Sequence, residues 1–142
     1  MARRIQVVID CADPDGLATF WAQALGYKKQ DPPEGYATWR NFETAQGVAQ
    51  AELNSWHAVV DPDGAGPRLY FHRVPEPKVG KNRLHLDLEV ARDVSPEEYR
   101  QRIDTEAERL RQVGATRLRA VEEHGEYWVT MLDPEGNEFD LM

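Results

Sequence analysis

The chain holds one cysteine, Cys11, in 142 residues. One thiol cannot build a disulfide framework or a cysteine zinc site within a single chain, so a reducing cytoplasm is the expected compartment. Long hydrophobic runs are missing as well; nothing approaches the roughly 20 apolar residues that span a bilayer. Met1-Ala2-Arg3-Arg4 leads straight into an alternating pattern instead of the apolar stretch of a secretory signal. Positive charge is in deficit, with 17 basic against 25 acidic residues and a net charge of −8. Such a chain has no broad basic face to neutralise phosphates, which excludes nucleic acid as an expected partner. No low-complexity tract appears, and 41% of the residues are hydrophobic, which argues against disorder. The length suits one compact domain, residues 1–142.

Two segments carry helix signals at both ends. Asp13-Pro14-Asp15-Gly16 offers an N-cap and a proline at the first helical position, where its missing N–H costs nothing. Leu17, Phe20, Trp21, Ala24 and Leu25 follow at helical spacing, and Gly26 supplies the stop. The second helix opens on Ser95-Pro96-Glu97-Glu98, the pattern of a capping box. Its stripe is Tyr99, Ile103, Ala107, Leu110 and Val113, and Gly114 ends it.

Strands alternate around these helices. Ile5, Val7 and Ile9 share one face, opposite Gln6, Val8 and Asp10; over 84–90, Leu84, Leu86, Leu88 and Val90 lie opposite His85, Asp87 and Glu89. Further strands are expected around 57–60, 69–74, 116–121, 127–132 and 137–142. Asp61-Pro62-Asp63-Gly64 and Asp133-Pro134-Glu135-Gly136 are nearly the same turn text, and each predicts a hairpin. The order strand, capped helix, strands and D-P-x-G hairpin thus occurs twice, predicting duplicated βαβββ modules over 1–79 and 80–142. Residues 31–55 have no counterpart in the second module and read as a loop with one strand at most.

The stretches Val8-Ile9-Asp10-Cys11-Ala12-Asp13-Pro14, Leu25-Gly26-Tyr27, Phe71-His72-Arg73-Val74-Pro75-Glu76, Arg83-Leu84-His85-Leu86-Asp87 and Asp133-Pro134-Glu135-Gly136-Asn137-Glu138-Phe139 carry a resemblance. The sequence resembles the vicinal oxygen chelate superfamily, which includes glyoxalase I, bleomycin-resistance proteins and extradiol dioxygenases, and among them the small bacterial glyoxalase-like proteins. That resemblance implies an α+β fold of two tandem βαβββ modules, a cupped mixed β-sheet with helices on its outer face, and a homodimer. Metal-dependent members draw ligands from the first and last strands of each module. Carried onto this chain, those positions are Gln6, His72, His85 and Asp140. All four lie opposite their strands' aliphatic or aromatic rows, so the alternation agrees with the resemblance.

An N/O set of this kind suits Fe, Mn, Ni, Co or Zn as a divalent ion. No organic cofactor is implied. Glyoxalase I carries glutamates at both last-strand positions, and the His72/Asp140 pair departs from that pattern, which speaks against true glyoxalase I activity. The implied enzyme is of lyase or dioxygenase type, with Asp140 or a metal-bound hydroxide moving a proton on a small oxygenated substrate. The alternative is a non-catalytic small-molecule or antibiotic binder of the bleomycin-resistance kind. Tyr70, Asp87 and Tyr127 are the candidate substrate-binding residues, with Trp39, Trp56 and Trp128 as further aromatic candidates. Trp21 belongs to the core. His57 and His124 read as surface histidines, and Arg73, Lys78, Lys81 and Arg83 as a solvated basic loop or an anion site.

Overall fold

The computed structural model describes all 142 residues and divides them into two compact units, Met1–Pro77 and Lys78–Met142. Unit 1 contains β1 (Gln6–Cys11), α1 (Pro14–Leu25), β2 (Lys28–Lys29), α2 (Trp39–Ala45), a 3-10 turn at Gln50–Glu52, β3 (Trp56–Val60) and β4 (Arg68–Arg73). Its strands run in the order β1-β4-β3-β2, with β1 parallel to β4 and the other pairs antiparallel. Leu69 and Phe71 of β4 and Val59 of β3 are buried with Leu17, Ala18 and Trp21 of α1, which covers one face of this sheet. Cys11 joins that core, and its thiol donates to the His72 carbonyl at 3.6 Å. Alternation then turns Gln6, Val8, Asp10, Arg68, Tyr70 and His72 to the open face.

Unit 2 contains β5 (Leu86–Leu88), α3 (Pro96–Gln112), β6 (Thr116–Glu123), β7 (Glu126–Leu132) and β8 (Glu138–Leu141). The order β5-β8-β7-β6 repeats that of unit 1, again with a parallel first pair. Val129, Met131, Phe139 and Leu141 are buried with Ile103, Ala107 and Leu110 of α3. Asp61 and Asp133 serve the same purpose in the two hairpins. Asp61 accepts from the Asp63, Ala65 and Gly66 amides at 2.7–3.0 Å, and Asp133 from the Glu135 and Asn137 amides at 2.9 Å. The fold is mixed α+β with the tandem βαβββ order, as expected.

Several local expectations need correction. Residues 31–55 hold a helix, α2, and a 3-10 turn, with no strand. The 84–90 strand is only three residues long, and Leu84 is 71% exposed, as is Ile5 at 72%, so neither extends its aliphatic row. The Ser95 side chain makes no cap hydrogen bond to a backbone amide; its hydroxyl donates to the Glu98 carboxylate at 3.1 Å, and the Glu98 amide donates to the Ser95 carbonyl at 3.0 Å. His57 is half-buried with Nε2 3.3 Å from Asp15, because β3 turns it toward the start of α1. His124 does sit exposed, in a turn at φ 53°.

Candidate functional site

Strand pairing in unit 2 assembles three donors on the open face. Asp87 lies opposite Asp140 across the parallel pair β5–β8, and His85 precedes Leu86, which faces Phe139. His85 Nε2 is 3.3 Å from Asp87 Oδ1 and 3.4 Å from Asp140 Oδ2. One ligand atom from each residue can be chosen so that all lie within 4.8 Å of one another. The Thr130 hydroxyl, on the neighbouring β7, donates to Asp140 Oδ1 at 2.6 Å and so fixes the carboxylate's orientation. One imidazole nitrogen and two carboxylates at this spacing fit a divalent ion that accepts N/O ligands. Asp87, expected to bind substrate, therefore stands among the donors, and Thr130 was not expected at all.

A cavity of about 550 Å³ adjoins the group, lined by Asp87, Asp140, Tyr99, Arg100, Tyr127 and Trp128. Tyr127 lies on the α3 side of the sheet. Its hydroxyl donates to Asp104 at 2.7 Å and the Arg100 guanidinium covers its ring at 4.3 Å, so only part of the ring is left for a ligand. Burial first, then the hydrogen bond to Asp104, raises its phenol above the ordinary value.

In unit 1 the corresponding positions carry other residues. Ile9 faces Phe71 as Leu86 faces Phe139, so Val8 holds the place of His85, Asp10 that of Asp87 and His72 that of Asp140. His72 Nδ1 stands 3.6 Å from Asp10 Oδ1. Gln6 is not brought to His72. It pairs with Arg68, four residues earlier along β4, and its Oε1 accepts from Arg68 Nη1 at 2.5 Å. The matching strand texts, Val7-Val8-Ile9-Asp10 and Leu84-His85-Leu86-Asp87, hold the signal that would have placed Val8, and not Gln6, opposite His85 in the repeat.

Aromatic side chains occupy the rest of that open face. Trp56 and Tyr70 are nearly parallel, 5.6 Å apart, and Tyr70 is followed by His72 at 6.4 Å. Trp39 meets Trp56 edge-on at 4.6 Å and Phe42 at 5.8 Å. The Trp39 indole donates to the Gln30 carbonyl at 2.7 Å, which ties α2 to the sheet. Three of the basic residues have partners within their own units: Arg73 donates to the Leu53 and Ala51 carbonyls, Lys81 pairs with Glu138, and Lys78 donates to the Gly80 carbonyl.

The sequence pattern of the glyoxalase-like domain matches residues 6–142, nearly the whole chain. The chain belongs to the glyoxalase-like domain family. No curated protein matches it in sequence. Among solved structures, this glyoxalase-like chain is similar to a possible glyoxalase from Bacillus cereus at 17% identity and TM-score 0.62, covering 100% of this chain and 99% of that one. It is also similar to the fosfomycin resistance protein FosX from Listeria monocytogenes, in an E126Q mutant complexed with Mn(II) and 1S,2S-dihydroxypropylphosphonic acid. That match has 10% identity and TM-score 0.62, covering 99% and 89%. A glyoxalase/bleomycin resistance protein/dioxygenase family enzyme from Burkholderia phytofirmans matches at 16% identity and TM-score 0.60, covering 96% and 94%. The oxidase ChaP-H2 matches at 17% and TM-score 0.58, covering 99% and 91%. These neighbours share the fold, and that fold serves more than one chemistry. No helix of the glyoxalase-like chain is long and apolar enough to cross a membrane.

Proposed function

We propose that this glyoxalase-like protein is a divalent-metal-dependent enzyme, of lyase or oxygenase type, acting on a small oxygenated molecule. The observation that carries the reading is the His85 imidazole, standing within 3.4 Å of both Asp87 and Asp140 on an open sheet face. His85, Asp87 and Asp140 would hold the ion, which supplies Lewis-acid polarisation of a substrate oxygen when bound. Asp140 is the carboxylate suited to move a proton. Thr130 fixes its Oδ1, so Oδ2 on the His85 side is the oxygen that would either ligate the ion or, when not ligating, accept a proton from a substrate carbon or hydroxyl. The adjoining cavity has the size of a small-ligand site and would hold the rest of the substrate. FosX, with Mn(II) and a dihydroxypropylphosphonic acid in the same fold, supports a metal beside a small polyoxygenated ligand. His72 with Asp10 forms a second, smaller donor pair. The reading also takes the protein as a cytoplasmic homodimer, a state that sedimentation velocity measures directly.

The test is metal content. After incubation with Mn(II), Fe(II), Ni(II) or Zn(II) and desalting, elemental analysis should find about one ion per chain. His85→Ala and Asp140→Asn should each reduce retention by about tenfold or more. A wild type that stays empty at micromolar metal sinks the enzymatic reading. A second reading, non-catalytic binding of a small molecule, is favoured by the aromatic row of unit 1; ligand binding without turnover, in protein that holds no metal, would select it.

A further inference from the structure

The two open faces differ at equivalent positions. Where unit 2 has Thr130, Glu138 and Asp140, unit 1 has Trp56, Tyr70 and His72. Oxygen donors in one unit are thus replaced by a row of rings in the other. The row is half-exposed, and α2, which has no counterpart in unit 2, extends it with Trp39 and Phe42.

Arg68 stands at one end of this row. Its guanidinium lies over the Tyr70 ring at 5.2 Å. Nε donates to Gln30 Oε1 at 2.7 Å and Nη1 to Gln6 Oε1 at 2.5 Å. Both partners are neutral amides. The ion pairs of unit 1 join Lys28 to Asp31, Lys29 and His57 to Asp15, and His72 to Asp10, and none of them includes Arg68. In a chain with a net charge of −8, this cation on β4 is held by Gln6 of β1 and by Gln30 just after β2, and is left uncompensated. A fixed, planar fork of this kind is suited to an anionic oxygen pair. At the opposite end of the row, Asp10 beside His72 lies about 13 Å along the strand from the Arg68 position, at roughly 3.3 Å per residue. Its carboxylate repels an anion there and so orients the ligand.

We propose that the open face of unit 1 binds a planar aromatic carboxylate, its ring against the Trp56–Tyr70 row and its carboxylate on Arg68. Gln6 then acts as a positioning residue for the guanidinium. The proposal names a ligand class for the binding half of the reading above and does not depend on the metal.

The experiment is titration calorimetry of the purified protein in metal-free buffer with three probes: 2-naphthoate, its neutral amide 2-naphthamide, and the non-aromatic cyclohexanecarboxylate. Naphthoate should bind saturably and about tenfold more tightly than either control, since one charge-assisted fork and one stacked ring separate them. Arg68→Met should erase the preference for naphthoate over naphthamide while leaving naphthamide binding in place, and Trp56→Leu should weaken both aromatic probes. Equal affinity for naphthoate and naphthamide, no saturable binding, or an unchanged preference in Arg68→Met overturns the proposal. The comparison of probes is made on the wild type, so it decides the matter even if a variant fails to fold. Because no metal is present, its failure leaves the metal-content result untouched, and an empty metal site leaves this one standing.

Discussion

At the start of α1, several polar side chains from distant parts of the chain share one cap. Asp13 accepts from the Gly16 amide at 3.2 Å, and Asn54 both donates to Asp13 Oδ1 and accepts from the Asp15 amide, each at 3.0 Å. Asn54 does this from a left-handed backbone at φ 60°, a conformation asparagine tolerates better than most residues. The Asn54 hydrogen bond is the main reason that the Asp13 carboxyl titrates below its ordinary value. His57 closes the group against Asp15, and burial pushes its imidazole below its ordinary value despite that carboxylate. A folded-state value below the unfolded one means the unfolded chain binds the proton more readily. Stability from neutral His57 is therefore present above pH ~6.5 and falls away as pH drops through the folded value. Thermal midpoints measured from pH 7.5 down to 5.5 should fall in the wild type, and His57→Gln should flatten that slope. A wild-type slope matched by the variant would remove His57 from the account. The sequence shows Asp13 as a cap because capping is a local pattern. It does not show Asn54 or His57 as partners, because the loop residue Asn54 and His57 of β3, 41 and more residues later, are brought there by tertiary packing.

At the scale of elements, the legible parts are those whose ends are set by local chemistry. Pro14 at the first position of α1 and Gly26 at its end fall where expected, and Gly26 adopts φ 67° with its amide donating to Ala22. A Cβ on Gly26 would meet nothing within 4 Å, so Gly26→Ala isolates the backbone cost of that conformation. Denaturant unfolding should show a loss of about 1 kcal/mol with an unchanged m-value. No measurable loss would mean that the chain turn has relaxed to another conformation. The D-P-x-G hairpins are legible for the same reason, since the aspartate supplies its own turn's hydrogen bonds. By contrast α2, only seven residues long, has one local signal, the Thr38 cap, whose hydroxyl accepts from the Asn41 amide at 3.1 Å. It is held from outside, by the Trp39 indole on Gln30 and by edge contacts among Trp39, Phe42 and Trp56. The loss of most of the 84–90 strand has a related cause. An alternating pattern says which side chains share a face, and it cannot say how far a hydrogen-bonding neighbour extends. Here β8 pairs with only Leu86–Leu88.

For the molecule as a whole, the duplication is the feature from which most follows. Unit 1 carries 7 basic and 10 acidic residues and unit 2 carries 10 and 15, net charges of −3 and −5. The donor group thus lies in the more acidic copy and the uncompensated arginine in the less acidic one. His85 and Asp140 are positions that the family resemblance names, and alternation agrees by putting them opposite their strands' aliphatic and aromatic rows. Gln6 shows the limit of that signal: a slip of two residues along a strand keeps the face, so Gln6 and Val8 satisfy the alternation equally. The match of Ile9-Asp10 with Leu86-Asp87 and the pairing of Ile9 with Phe71 distinguish them. Val8, 53% exposed, on the same face as Asp10 and across from Tyr70, marks where the two units differ. A repeated frame with one imidazole fewer is also one substitution from matching its partner. Val8→His would give unit 1 the histidine that stands between two strand-paired donors in unit 2. Equilibrium dialysis against Zn(II) should then find the bound ion count rising from about one to about two per chain. If the count does not change, the two copies have drifted apart in backbone as well as in side chains, and their ancestry no longer predicts their chemistry.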